Sequence, residues 1–299
     1  MIKKKISSFL TRTSVSGIVM ASPFIIGFIL FMLVPMGMSL YYSFCDYNIF
    51  SPPVFSGLSN IKKYFSDPLI WKSLRVTLYY TVASVPLKLA FALFVAHILK
   101  KSSKMMALYR ALYYLPSLIG GSVAVSILWK RIFAIDGVLN RLLQAIGINC
   151  TFAWLGDERT AIWTLIILSV WQFGSSMLIF LSALKQIPQM YYEAARVDGA
   201  SKVRQFFQIT FPLLTPTIFF NLVMQLIYGM LAFNQCYIIT KGQPMNSTLF
   251  YMVYMYQQSF EFAHMGYGAL IAWVMLLLVG LLVLLLFATK KFWVYEGGY

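Results

Sequence analysis

Six side chains of hydrogen-bonding or aromatic type stand inside runs that are otherwise apolar. Asn221, Gln225 and Tyr228 recur at i, i+4 and i+7, which puts them on one face of a helix. Gln172 and Ser175 share a face in another run, with Trp171 beside them. Amides and hydroxyls that donate and accept, next to an aromatic plate, suit a polyhydroxylated ligand such as a sugar. The same types also serve as contacts between helices, since Ser, Asn and Gln bond across packed spans. Lys88 is the one charge within such a run. It either snorkels or pairs within the fold, or it recognises an acidic sugar.

A second constellation lies in the polar segment 185–213. Helix formers from Pro188 through Glu193, Ala194 and Ala195 run to Asp198-Gly199, where glycine accepts the positive φ of a tight helix end. Ser201 is placed to cap a second short helix, and Ile209 and Pro212 lead into the next apolar run. The pattern predicts a helix-turn-helix on one membrane face, open either to a protein partner or to lipid headgroups.

Both constellations need a membrane to position them. The 299 residues are 60% hydrophobic with a mean hydropathy of +0.75, more apolar surface than a soluble domain can hide. Runs long enough to span fall at about 17–43, 75–99, 108–129, 161–184, 214–238 and 267–289. The expectation is an all-α polytopic protein, one transmembrane domain with six helices and the helix-turn-helix between spans four and five. The start, Met1-Ile-Lys-Lys-Lys5, resembles the head of a signal peptide, but the apolar stretch behind it is too long and reads as a retained span.

The net charge of +15 lies between the apolar runs, so it reads as a topology signal and not as a nucleic-acid surface. With the N-terminus inside, the inner segments carry fourteen basic and three acidic residues, against nine and six outside. That bias puts both termini in the cytoplasm. Cys45, Cys150 and Cys236 are far apart, and there is no CxxC, HExxH or GxxxxGK[ST]. Metal, redox and P-loop chemistry are therefore not expected on this chain. The sequons at Asn149 and Asn246 read as chance.

The segment around Glu193 resembles the EAA motif of permeases in ATP-driven importers. Glu193-Ala194-Ala195, Gly199, Ile209 and Pro212 stand at the family spacing, with Phe211 in place of the usual Leu. The resemblance extends to Pro23, Pro35, Ser43-Phe-Cys-Asp-Tyr47, Phe55-Ser-Gly57-Leu-Ser-Asn60 and Thr77. It continues through Thr240 to Thr248, where Lys241 and Gln243 replace the usual glycines, and Tyr267-Gly268-Ala269. Together these look like the maltose-type group, and within it the first of two paired permeases in a bacterial cell membrane. The resemblance implies coupling helices, here with Glu193, Ala194, Ala195, Asp198, Gly199, Ile209 and Pro212, that insert into an ATP-binding subunit. It implies two such subunits carrying ATP and Mg, a second permease, an external solute-binding protein and a carbohydrate cargo, with a peptide or polyamine as the alternative. A self-sufficient channel or secondary transporter calls for an internal repeat or buried ion-coupling charges, and a membrane enzyme for a reactive cluster; the sequence offers neither.

Overall fold

The computed structural model describes residues 12–101, 103–148 and 151–295. Lys3, Lys4, Lys5, Cys150, the Asn149 sequon and Glu296, for which expectations were drawn from sequence, lie outside them. The described residues form two units, 12–66 with 258–274, and 67–257 with 275–295.

In the first unit, α1 (Arg12–Phe28) runs through a π-turn at Ile29–Leu33 into α2 (Val34–Ser43). A hairpin comes next, β1 (Cys45–Asn48) antiparallel to β2 (Ser51–Phe55), with Cys45 opposite Phe55. This hairpin is the exception to the all-α expectation. Asn48 makes it by accepting at Oδ1 from the N–H groups of Phe50 and Ser51, a side chain standing in for a backbone turn. Helix α3 (Ser59–Ser66) is tied back by Asn60, whose Nδ2 donates to the carbonyls of Ser43 and Cys45 at 3.0 and 2.9 Å.

The second unit is built around α4 (Pro68–Ile98). The expected start at 75 is too late: Asp67 caps the helix by accepting from Leu69 N–H at 2.9 Å, and Pro68 fills the first turn, where no N–H is needed. Next come α5 (Lys104–Ile119), α6 (Val123–Ile132), α7 (Val138–Ala145), α8 (Glu158–Trp171), α9 (Gly174–Gln186) and α10 (Gln189–Val197). Helix α11 (Lys202–Gln205) passes through a π-turn at Phe206–Thr210 into α12 (Phe211–Met230); α13 (Asn234–Ile239), α14 (Tyr251–Tyr256) and α15 (Met265–Trp293) complete the chain.

The core of this unit joins α4, α9 and α12. Val85, Leu89, Ala92, Val95, Ala96 and Leu99 follow the helical period on one side of α4 and just past its end, and they meet Phe173, Met177, Phe180, Leu181, Leu184 and Leu214. Gly174 lets α9 approach α5: a Cβ there would lie 2.5 Å from the Tyr113 carbonyl oxygen and 2.7 Å from Tyr114 Cα.

Among the described residues, Met20–Ser43, Pro68–Ile98, Lys202–Ile239 and Met265–Trp293 are each long and apolar enough to cross a membrane. Two further pairs qualify only together. The run expected as one span over 108–129 breaks at Gly120-Gly121-Ser122, where α5 and α6 meet at 98°. The run expected over 161–184 bends by 41° between α8 and α9. The fifth run is helical from Lys202, with a break at 231–233 before α13, so Pro212 does not mark its start. Proline lacks an N–H and its ring crowds the carbonyl four residues back. The π-turn before Pro212 opens the helix there, with Phe211 N–H reaching Phe206 O. Pro35 comes after the π-turn at Ile29–Leu33 in the same way, with Val34 N–H bonded to Ile29 O.

The close approach at Gly174 gives a stability test. Gly174→Leu should destabilise the folded protein by about 1–3 kcal/mol, because the obstacle is backbone and cannot rotate aside. Gly280→Ala, where a Cβ meets nothing within 4 Å, should not lower the melting temperature of the detergent-solubilised protein. Equal melting of the two variants would contradict the packing described.

Candidate functional site

Three of the helices in the second unit are broken near one another, and a cavity of about 500 Å³ lies among the breaks. Each break contributes to the lining. The α5–α6 break supplies Ser117, Leu118 and Gly121; the α8–α9 break supplies Gln172 and Ser175; the α12–α13 break supplies Ala232, Phe233, Asn234 and Gln235. Intact stretches of α4 and α12 add Tyr80, Ser84, Lys88, Gln225 and Tyr228. Irregular backbone at membrane depth is tolerated where it lines a cavity and its polar groups find partners. Here they do. Ser117 Oγ donates to the Gln172 carbonyl and accepts from Ser175 N–H, both at 3.1 Å. Gln235 Nε2 donates to the Gly120 carbonyl at 2.9 Å. Ser122 caps α6 by accepting from Val125 N–H.

Of the six polar or aromatic residues singled out in the sequence, four line this cavity: Gln172, Ser175, Gln225 and Tyr228. Gln225 is nearly buried and donates to Ser176 Oγ at 3.3 Å, whereas Tyr228 is 62% exposed. The other two are elsewhere. Asn221 is buried one turn before Gln225 and donates to the Thr217 carbonyl within its own helix. Sharing a face did not suffice, because a turn of helix moves a side chain about 5.4 Å along the axis, away from the cavity. Trp171 packs on Trp129, ring centroids 5.8 Å apart. Adjacent helical residues point about 100° apart, so Trp171 and Gln172 diverge. Lys88, Ser84, Ser117, Ser169, Asn234 and Gln235 add to the polar lining. Ser117 had a readable signal, the Pro116 and Gly120-Gly121-Ser122 cluster that ends the helix; Gln235 had the pair Asn234-Gln235 inside an apolar run.

At the other constellation, α10 ends in a paired turn. Gly199, at φ +74°, donates its N–H to the Arg196 carbonyl, and Ala200 donates to the Ala195 carbonyl at 2.8 Å. These two bonds form a Schellman motif, which needs the left-handed residue. Ser201 Oγ accepts from Arg204 N–H and starts α11. The expected second short helix is not separate: it is the beginning of the run that continues into α12. Tyr192 anchors the turn, its hydroxyl 2.8 Å from Thr210 Oγ1 and its ring beneath the Lys100 ammonium. Glu193, Ala194, Asp198 and Gly199 are exposed, and Ala195, Ile209 and Pro212 are half-buried. Met190, Tyr191 and Val197 are exposed beside them, Val197 at 88%.

Residues 88–290 match the family described as binding-protein-dependent transport system inner membrane component. The chain belongs to that family. It is thus the permease subunit of an ABC importer, a multi-pass inner-membrane protein and not an enzyme, with ATP bound on a separate subunit. The permease is 52% identical over 294 residues, 97% of its length and 95% of the relative's, to the probable ABC transporter permease protein YesP of Bacillus subtilis (strain 168). It is 35% identical over 243 residues, 79% of its length and 81% of the relative's, to the lactose transport system permease protein LacF of Rhizobium radiobacter. Its fold matches a chain of the bacterial alginate ABC transporter, crystallised with an alginate pentasaccharide-bound periplasmic protein. The TM-score is 0.79 at 19% identity, covering 94% of this permease and 95% of that chain.

The geometry predicts which positions reach water. Cysteines introduced at Ser175 and Tyr228 should react with a small hydrophilic thiol reagent at least about tenfold faster than cysteines at Asn221 or Leu168, because thiol reactivity follows access. The variants are made with Cys150 replaced by serine; the other native cysteines, Cys45 and Cys236, are buried. Equal rates at all four positions would remove the cavity.

Proposed function

We propose that this permease forms, with a second homologous permease, the membrane path for a carbohydrate delivered by an external solute-binding protein. Two ATP-binding subunits drive it by docking on the segment from Pro188 to Pro212, and both termini lie in the cytoplasm. The observation that carries the reading is the cavity where three broken helices meet. It offers amides from Gln172 and Gln225, hydroxyls from Ser84, Ser117, Ser175 and Tyr228, and the aromatic faces of Tyr228 and Phe233. Hydroxyl-rich ligands need that mixture. The lactose transport named for LacF is consistent with it. A polyamine fits poorly, because among the described residues no carboxylate lines the cavity and a lysine does.

The exposed turn at Gly199 supports the docking part. Its apolar neighbours Met190, Tyr191 and Val197 are out of place in water and suit a protein groove. Small Ala194 and Ala195 allow a close approach.

Three measurements test this. Replacing Gln225 and Tyr228 together by alanine should reduce carbohydrate uptake at least about tenfold while the complex still assembles; unchanged uptake reduces these residues to packing. Gly199→Val forces a β-branched residue into a positive φ, a strain of about 1–3 kcal/mol. No atom lies within 4 Å of a Cβ there, so strain alone acts. The variant should reach the membrane yet lose the co-purifying ATPase or uncouple hydrolysis from uptake. Gly199→Asn, a residue that tolerates this conformation, should behave more like the parent. Normal coupling in Gly199→Val rejects the docking role. A cysteine at Gln186 should be labelled only from the cytoplasmic side; labelling from outside in intact cells reverses the topology.

A further inference from the structure

The cavity has a single formal charge in its lining. Lys88 stands there half-buried, and among the described residues no Asp or Glu lines the same space. Its ammonium makes no hydrogen bond, ion pair or ring contact with a described residue. Other cations of the unit are engaged. Lys72 donates to the Met245 carbonyl, Arg110 to the Leu99 and Lys101 carbonyls, and Lys100 and Lys241 sit over the Tyr192 and Tyr237 rings.

An unpaired ammonium within a span is expensive to keep. Snorkelling does not relieve it. Lys88 lies about 15 Å along the axis from the end of α4 at Ile98 and about 30 Å from its start, at 1.5 Å per residue, farther than a four-carbon stem reaches. The helix breaks do not balance it either. Each presents one N-terminal and one C-terminal end, so their dipoles oppose, and the formal charge sets the sign of the field.

We propose that the cargo is an anionic saccharide, carrying a carboxylate such as that of a uronate residue, and that Lys88 is the counter-ion selecting it in the cavity. This rests on the carbohydrate reading above and narrows it. One lysine with no arginine fork matches one negative charge; a dianionic phosphate would be left half-compensated. The amides and hydroxyls around it take the neutral hydroxyls of the same molecule. Lys88 is a specificity-determining residue: it lowers the cost of bringing a carboxylate into the membrane, whereas to an uncharged sugar it offers only hydrogen-bond donors.

The test uses the whole importer in intact cells, with its own binding protein and ATPase. Uptake is compared for matched pairs, cellobiose with cellobiouronate and maltose with maltobiouronate, and for glucose 6-phosphate. The parent should take up the uronate of a pair in preference to its neutral partner. In Lys88→Met the acid-to-neutral uptake ratio should fall by about tenfold or more, and Lys88→Arg should restore most of it. The ratio does not depend on how much complex reaches the membrane. Preference of the parent for the neutral sugars overturns the inference and leaves the carbohydrate reading standing. Preference for the sugar phosphate overturns the carboxylate assignment. An unchanged ratio in Lys88→Met removes Lys88 from selection. If no saccharide of any kind enters, the carbohydrate reading falls and this inference with it. If Lys88→Met fails to assemble, the preference of the parent and the ratio in Lys88→Gln decide.

Discussion

In hydrocarbon a backbone carbonyl or N–H released by a helix break has no water to bond, and each orphan costs several kcal/mol. The interior of this permease is organised by that constraint. Breaks occur together, around a shared polar cavity, and side chains from one broken helix satisfy the ends of another. Ser117, beside the α5–α6 break, bridges both sides of the α8–α9 break. Gln235, from α13, closes the open carbonyl at Gly120. The cavity and the bonds that make it tolerable are therefore one structure. Removing a bridging side chain would disturb two helices at once.

Proline is handled by the same rule in another form. At Pro35 and Pro212 the helix widens into a π-turn just upstream, so the carbonyl that would meet the ring is carried outward while the hydrogen-bonded run continues. After Pro116 the helix runs on only to Ile119, and the chain then turns by 98°. The difference lies in the residues immediately downstream. Gly120-Gly121-Ser122 offers flexible backbone and a capping hydroxyl, whereas Pro35 and Pro212 lead into further apolar helix.

Much of this was readable in the residues, and the gaps have physical causes. The apolar runs announced a polytopic helical chain, and Asp198-Gly199 announced the turn that Gly199 makes at positive φ. Gln172, Ser175, Gln225 and Tyr228 stood out as polar groups where polarity is costly. What did not come through was depth along the axis. Asn221 shares a face with Gln225 yet lies a turn away from the cavity, and periodicity carries no such information. Hydropathy hid the broken spans because it is blind to direction: α5 and α6 are as apolar together as one straight helix would be, and only the Pro116 and Gly120-Gly121-Ser122 cluster marked the break between them. The start of α4 at Asp67-Pro68 was legible and outweighed by the polar residues just after it.

The helical run beginning at Lys202 is continuous past the π-turn to Met230, and Gln225 and Tyr228 sit near its far end. At about 1.5 Å per residue, Gln225 is some 35 Å from Ser201. The Schellman turn at Gly199 stands just before the start of that run. Between the turn and the cavity wall the main chain passes the Ser201 cap and the π-turn at Phe206–Thr210, and from Phe211 it is one α-helix to Met230. Docking at the Gly199 turn, as proposed above, would therefore reach the cavity wall along a single stretch of chain, with the π-turn as the place where that stretch can give.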